Sequence, residues 1–201
     1  SSDLEESLKE AQYVLMAVPC QFLRLVLRQM RSSLPAHPVI VCCSKGIEIE
    51  SLRPMSGVVM DELGDLGPQY AVLSGPSFAR EVSQGLPTAV TLGCQNKALG
   101  ADLQLSLSTE YFRVYLSSDY RGVELGGALK NVMAIATGIC DGLEFGTDAR
   151  AALITRGLAE MSRLGVALGA KAQTFMGLSG LGDLVLTCTG DLSRNRQVGL
   201  R

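Results

Sequence analysis

Tyr13-Val14-Leu15-Met16-Ala17-Val18-Pro19 is an unbroken apolar run closed by a proline. Such a run suits a strand buried on both faces of a parallel sheet. The next segment, residues 21–31, changes period. Phe22, Leu23, Val26, Leu27 and Met30 recur at three and four, while Arg24, Arg28 and Arg31 fall mostly off that stripe, the pattern of a helix with one apolar face. Residues 39–43 then read as a second strand. Strand, helix, strand, preceded by a helix-like stretch at 4–10, is the alternation of the later part of a doubly wound sheet, whose first unit is expected upstream.

Further short strands are predicted at 70–74, 88–93 and 111–116, with a helix over 97–107 between the last two. The pattern changes at about Ser118. Beyond it there is no strand signal, only helical periodicity: Leu125, Leu129, Val132, Ala136 and Ile139 form one stripe, and Ile154, Leu158, Met161, Gly165 and Leu168 another. Gly142 and Gly146 punctuate the turn between two packed helices, and Asp148 is a start signal for the second. The predicted architecture is a partial α/β Rossmann-like sheet domain, residues 1–118, followed by the first part of an all-helical substrate domain, residues 119–201.

With 47% apolar and 19% charged residues, the 201-residue chain reads as a soluble globular protein. Eighteen Lys and Arg against 20 Asp and Glu give a net charge of -2, so no global field holds nucleic acid or an anionic membrane, and any anion site is a local cluster. The longest uncharged stretch, residues 82–96, is too short and too broken by Gly85 and Pro87 to span a bilayer. Six cysteines without C-x-x-C spacing suggest reduced thiols in a cytoplasmic protein, and a lone His37 in a turn leaves no zinc set. The chain opens without methionine or leader and stops abruptly, so it reads as an internal fragment.

The dinucleotide fingerprint G-x-G-x-x-G is not among these residues: Gly180 and Gly182 have the first spacing, but Val185 stands where the third glycine belongs. Phosphate-loop and nucleophile-elbow motifs are missing too. Lys130 is the most informative residue, because it sits inside an apolar helix with Gly126 and Gly127 at i−4 and i−3. The helical side chain leans over the preceding turn, which the glycines leave bare, so a ligand has room beside an ammonium group. The alternative is a glycine pair for close helix packing and a lysine that snorkels to water.

Other polar groups stand where ligands gather. Lys45 in Ser44-Lys45-Gly46 ends a strand, as ligand sites of open sheets do, although a solvated turn lysine reads as well. Gly75-Pro76-Ser77-Phe78-Ala79 follows another strand and opens a helix, offering N–H groups and a hydroxyl to an anion or only a capped turn. Ser193-Arg194-Asn195-Arg196 combines a guanidinium fork, a hydroxyl and an amide, suited to phosphate unless it is an exposed basic turn. Asp183 in Gly180-Leu181-Gly182-Asp183-Leu184, ahead of Thr187, is either a helix cap or a carboxylate that orients a lysine.

Together with Val18-Pro19, Gly122-Val123-Glu124-Leu125-Gly126-Gly127-Ala128-Leu129-Lys130-Asn131 and Thr155-Arg156-Gly157, these segments resemble the bacterial type of NAD(P)-dependent glycerol-3-phosphate dehydrogenase over residues 11–196. The resemblance implies a Rossmann-like cofactor domain and a helical substrate domain that reduce dihydroxyacetone phosphate to sn-glycerol 3-phosphate for phospholipid synthesis. It implies that Lys130 is the catalytic proton donor and acceptor, with Asp183 and Thr187 beside it in the catalytic set. It assigns substrate contacts to Lys45, Gly75, Ser77, Lys130, Asp183, Ser193, Arg194 and Asn195, and cofactor contacts to Lys45, Ala79 and Arg194. The cofactor is NAD or NADP; the selector between them is expected upstream, and no metal is implied.

Hydride reaching a ketone carbon leaves negative charge on oxygen, which a positioned cation and proton donor stabilises. A free lysine titrates near pH 10.4. Desolvation and a second cation such as Lys45 lower that value, whereas Asp183 opposes the shift if close, so its contribution is expected to be orientation. Partners are the small-molecule substrate and no nucleic acid; a homodimer is allowed but not fixed. Without the pyrophosphate loop, these residues alone are expected to be inactive. Two other classes remain open: a phosphate-binding module without catalysis, and a structural domain with an apolar surface patch.

Overall fold

The computed structural model describes residues 4–201, which form two compact units divided between Leu73 and Ser74. In the first, α1 (Leu4–Leu8) precedes β1 (Val14–Met16), α2 (Leu23–Met30), β2 (Val39–Cys42), α3 (Met55–Leu63) and β3 (Gln69–Ser74). β2 lies between the other two strands and pairs in parallel with both, Val14 opposite Ile40 and Ile40 opposite Tyr70. Leu23, Leu27 and Met30 of α2 pack with Met55, Val58, Val59 and Leu63 of α3 and with Ile40 into one core. The expected burial of the first strand on both faces is corrected at Leu15, which is 45% exposed: this core covers the Met16 side of the strand only.

The second unit holds β4 (Thr88–Cys94) and β5 (Phe112–Ser117), paired in parallel, with α4 (Ala79–Ser83) before them and α5 (Lys97–Leu107) between. Asn96 fixes the start of α5 by accepting the Ala98 and Leu99 amides at 3.1 and 3.2 Å. The helices α6 (Tyr120–Gly142), α7 (Gly146–Ala167), α8 (Ala172–Phe175), α9 (Asp183–Thr189) and α10 (Arg194–Gly199) follow, with a π-type turn at Leu178–Gly182. The secondary structure changes near residue 118, as expected. The compact unit begins earlier, because α6 packs on β4 as well as on α7, α9 and α10.

Asp119 anchors the central helix. Its carboxylate caps the Gly122 amide at 3.0 Å and also accepts from the Lys171 amide at 2.8 Å and the Thr174 hydroxyl at 2.5 Å. Of the stripe expected on this helix, Val132 and Ile139 face outward, 66% and 48% exposed. The buried set is instead small and polar as well as apolar, including Gly126, Gly127, Lys130, Ala134, Thr137 and Gly138. Small residues let neighbours approach from several sides, so apolarity was a poor guide to the buried face. α6 also passes the length and hydropathy test for a membrane span, which a search for uncharged runs misses; 61% burial of its most apolar window makes it the core helix of this unit.

Candidate active site

Lys130 is drawn inward because α6 is enclosed along the whole turn that carries it. Its Nζ donates to Asp183 Oδ1 at 2.5 Å and to Thr187 Oγ1 at 2.7 Å. Thr187 passes its own hydrogen to the Asp183 carbonyl at 2.6 Å, so its oxygen is left to accept from the lysine. All three side chains are buried, Asp183 to 1% exposure. The lysine therefore does not snorkel, and Asp183 is more than a cap. These partners fix the position and orientation of the ammonium group.

Gly126 serves the packing alternative: a Cβ there would run into the Ser179 carbonyl and lie 3.5 Å from Gly180 Cα. The glycine thus seats the turn that leads into Asp183, the partner of Lys130. Bare surface for a ligand is not its role.

A cavity of about 660 Å³ opens on this group. Ser77, Ala79, Lys130, Thr187, Ser193, Arg194 and Asn195 line it, so the second unit brings seven of the expected residues to one wall. Arg80 and Asn131 join them; reading the motifs as blocks missed both, although each directly follows a singled-out residue. Asp183 acts from behind, through Lys130. Gly75 shapes the loop: it is buried at φ 148°, a Cβ would come 2.9 Å from Val90 Cα, and its carbonyl accepts the Ser77 hydroxyl at 3.1 Å.

Ser193 caps α10 by accepting the Arg196 amide at 3.2 Å, and the Asn195 amide donates to Asn131 Oδ1 at 2.8 Å. Arg194 stays exposed at the cavity while Ser193 is buried. The basic turn is thus built into the site rather than solvated throughout. Lys45 lies in the first unit, next to Ser44, whose hydroxyl donates to the Val18 carbonyl at 2.5 Å; Gly46, at φ 152°, lies so close to Cys20 that a Cβ would strike its Sγ. His37 is exposed in a turn, and no cluster of metal-ligating side chains occurs among the described residues.

The donor set fits phosphate oxygens, with the Arg80 and Arg194 guanidiniums beside hydroxyl and amide groups and a buried ammonium at the wall. Residues 1–100 match the family model described as NAD-dependent glycerol-3-phosphate dehydrogenase N-terminus, and residues 119–201 match the C-terminus of the same family. The chain is 60% identical over 201 residues to a glycerol-3-phosphate dehydrogenase [NAD(P)+] of Maridesulfovibrio salexigens, covering all of this chain and 61% of that protein. A relative of the same description from Oleidesulfovibrio alaskensis is 64% identical over 199 residues, 99% of this chain and 60% of its own length. The crystal structure of glycerol-3-phosphate dehydrogenase from Coxiella burnetii superposes with a TM-score of 0.94 at 48% identity, covering 100% of this chain and 61% of that one. The chain thus spans about three fifths of the length of these relatives.

Proposed function

The chain belongs to the NAD-dependent glycerol-3-phosphate dehydrogenase family, and from that premise we propose that the protein reduces dihydroxyacetone phosphate to sn-glycerol 3-phosphate in the cytoplasm, for phospholipid synthesis. The observation that carries this reading is the buried Lys130, held by Asp183 and Thr187 at the wall of a cavity that also receives Arg194.

The substrate phosphate is bound by Arg194 with Ser193, Asn195 and Ser77, groups that contribute a cation and neutral donors without changing during the reaction. That anchoring brings the ketone oxygen to Lys130 Nζ. As the carbon is reduced, negative charge grows on that oxygen, and Lys130 first stabilises it and then gives it a proton. The Asp183 carboxylate keeps the lysine in its ammonium form until that moment and, with Thr187, holds Nζ in one place. In the reverse direction neutral Lys130 takes the hydroxyl proton. NAD or NADP supplies the hydride when bound; Ala79 and Arg194 are the residues of the second unit that meet it, and Lys45 is assigned to substrate and cofactor on the family motif Ser44-Lys45-Gly46. The pyrophosphate fingerprint is not among these 201 residues, so we expect them alone to show no turnover. A homodimer fits this reading.

The test is cofactor oxidation by the intact protein. Arg194→Ala is expected to raise KM for dihydroxyacetone phosphate more than it lowers kcat, because phosphate contacts bind substrate and transition state alike. Arg194→Lys restores part of the loss. Dihydroxyacetone without phosphate is expected to be a poor substrate, nearly indifferent to either change. Equal damage to both ketones would assign Arg194 to the cofactor or the fold. Tight binding of glycerol 3-phosphate with no turnover would favour a binding module over an enzyme.

A further inference from the structure

Ser193-Arg194-Asn195-Arg196 carries two guanidiniums two residues apart, and side chains at that spacing do not share a helix face. Arg194 lines the cavity. Arg196 points elsewhere: its Nε and Nη2 both donate to Asp141 Oδ2, at 3.0 and 2.8 Å. Asp141 stands three turns beyond Lys130 on the same helix, about 16 Å along the axis. Arg150 Nη1 donates to its two oxygens at 3.0 and 3.1 Å. The Asp141 and Arg196 side chains are 12% and 11% exposed, so this is a nearly dry carboxylate between two cations. Burial pushes the Asp141 carboxyl up, but Arg196 and Arg150 outweigh it and hold the group below its ordinary range, hence ionised at neutral pH.

Backbone contacts continue the same junction. A Cβ on Gly138 would strike the Arg196 carbonyl, and one on Gly199 would strike the Ile135 carbonyl. α10 is therefore set on α6 at three successive places: Asn131 with Asn195, Gly138 with Gly199, and Asp141 with Arg196. The glycines allow close approach but carry no direction along the groove. A charged contact in which two guanidinium N–H groups converge on one carboxylate oxygen does.

We propose that Asp141 and Arg196 are positioning residues that fix the register of α10 on the helix bearing Lys130, so that the Arg194 guanidinium is presented to the substrate phosphate. The proposal rests on the phosphate-binding reading of Arg194. Neither Asp141 nor Arg196 touches the substrate; they act through the two helices, and a misplacement of about 1 Å at a binding group can cost on the order of a hundredfold.

Arg196→Gln and Arg196→Lys in the intact protein test this by two readouts. Amide hydrogen exchange across Arg194–Gly199 is expected to quicken by about tenfold in Arg196→Gln while α5 stays unchanged, since only the local opening is eased. KM for dihydroxyacetone phosphate is expected to rise by about tenfold, with a smaller fall in kcat per folded molecule. Arg196→Lys, which keeps the charge and protects folding, moves both in the same direction by less. On an Arg194→Ala background, Arg196→Gln should raise KM by less than it does alone, because the main group it positions is gone while Ser193 and Asn195 remain. Unchanged exchange in α10 would overturn the proposal, and so would an additive effect on KM. If Arg194→Ala itself leaves KM untouched, the phosphate assignment has failed, and the exchange result alone decides whether Arg196 holds the helix.

Discussion

Arg24 in the first unit and Lys130 in the second are both cations held by carboxylates, yet they differ in their access to water. Arg24 donates to Glu48 at 2.8 and 2.7 Å, to Glu62 at 2.6 Å and to Asp61 at 3.2 Å, with its side chain 19% exposed. Glu62 is shared with Arg28, whose side chain is 62% exposed. Lys130 pairs with the Asp183 carboxylate and donates to the Thr187 hydroxyl, with side-chain exposures of 9% and 1% across the ion pair. A shared, solvent-reached network tolerates the loss of one member because another partner or water replaces it. Water cannot compensate a buried pair that way, so its placement beside a cavity points to chemistry rather than to stability.

The largest break in that comparison is Asp183→Asn. It leaves an ammonium buried without its counter-charge, and we expect a loss of about 3–5 kcal/mol in urea unfolding, the range for breaking one side of a buried pair. Gly126→Ala comes next. Its methyl meets the Ser179 carbonyl, backbone that cannot rotate away, and overpacking of this kind costs about 1–3 kcal/mol. Activity should fall with it, because the displaced turn runs directly into Asp183.

At the other extreme, Arg28→Ala removes an exposed member of the shared network and should leave the urea midpoint almost unchanged, the more so at high salt. Acid sharpens the contrast. Hydrogen bonds from Arg24 and Ser51 outweigh burial and lower the Glu48 pKa from its ordinary 4.5 to about 2. A depressed carboxylate contributes stability that is complete above its unfolded value and is lost as pH falls through the folded one. The first unit should therefore weaken between about pH 4.5 and pH 2, and Arg24→Ala should flatten that dependence in a series of melts.

Residue pattern made some of this legible and could not reach the rest. The helix Lys97–Leu107 was readable to the residue, since Asn96 supplies a side-chain cap. α3 was passed over, although Met55, Val58, Val59 and Leu63 repeat at helical spacing and are all fully buried; Ser56 and Gly57 in its first turn masked the start. The buried face of α6 was read only in part: Leu125 and Leu129 do face the core, but Val132 and Ile139 do not, and glycines and a lysine complete the face. Lys130 stood out as an oddity within one helix, but its partner lies 53 residues away, and no local periodicity encodes such a contact. Arg196 was read with Arg194 as one basic cluster, whereas helical geometry divides their tasks.

Whether the buried pair delivers a proton is decided by Lys130→Met in the intact protein. Methionine keeps much of the apolar stem, and thermal melts with glycerol 3-phosphate binding confirm a folded site, which matters because Asp183 loses its partner. The kcat for dihydroxyacetone phosphate is expected to fall by a factor on the order of a hundred to ten thousand while cofactor binding persists. A folded Lys130→Met protein with near-native kcat would contradict it, and the lysine would then be no more than a buried structural charge.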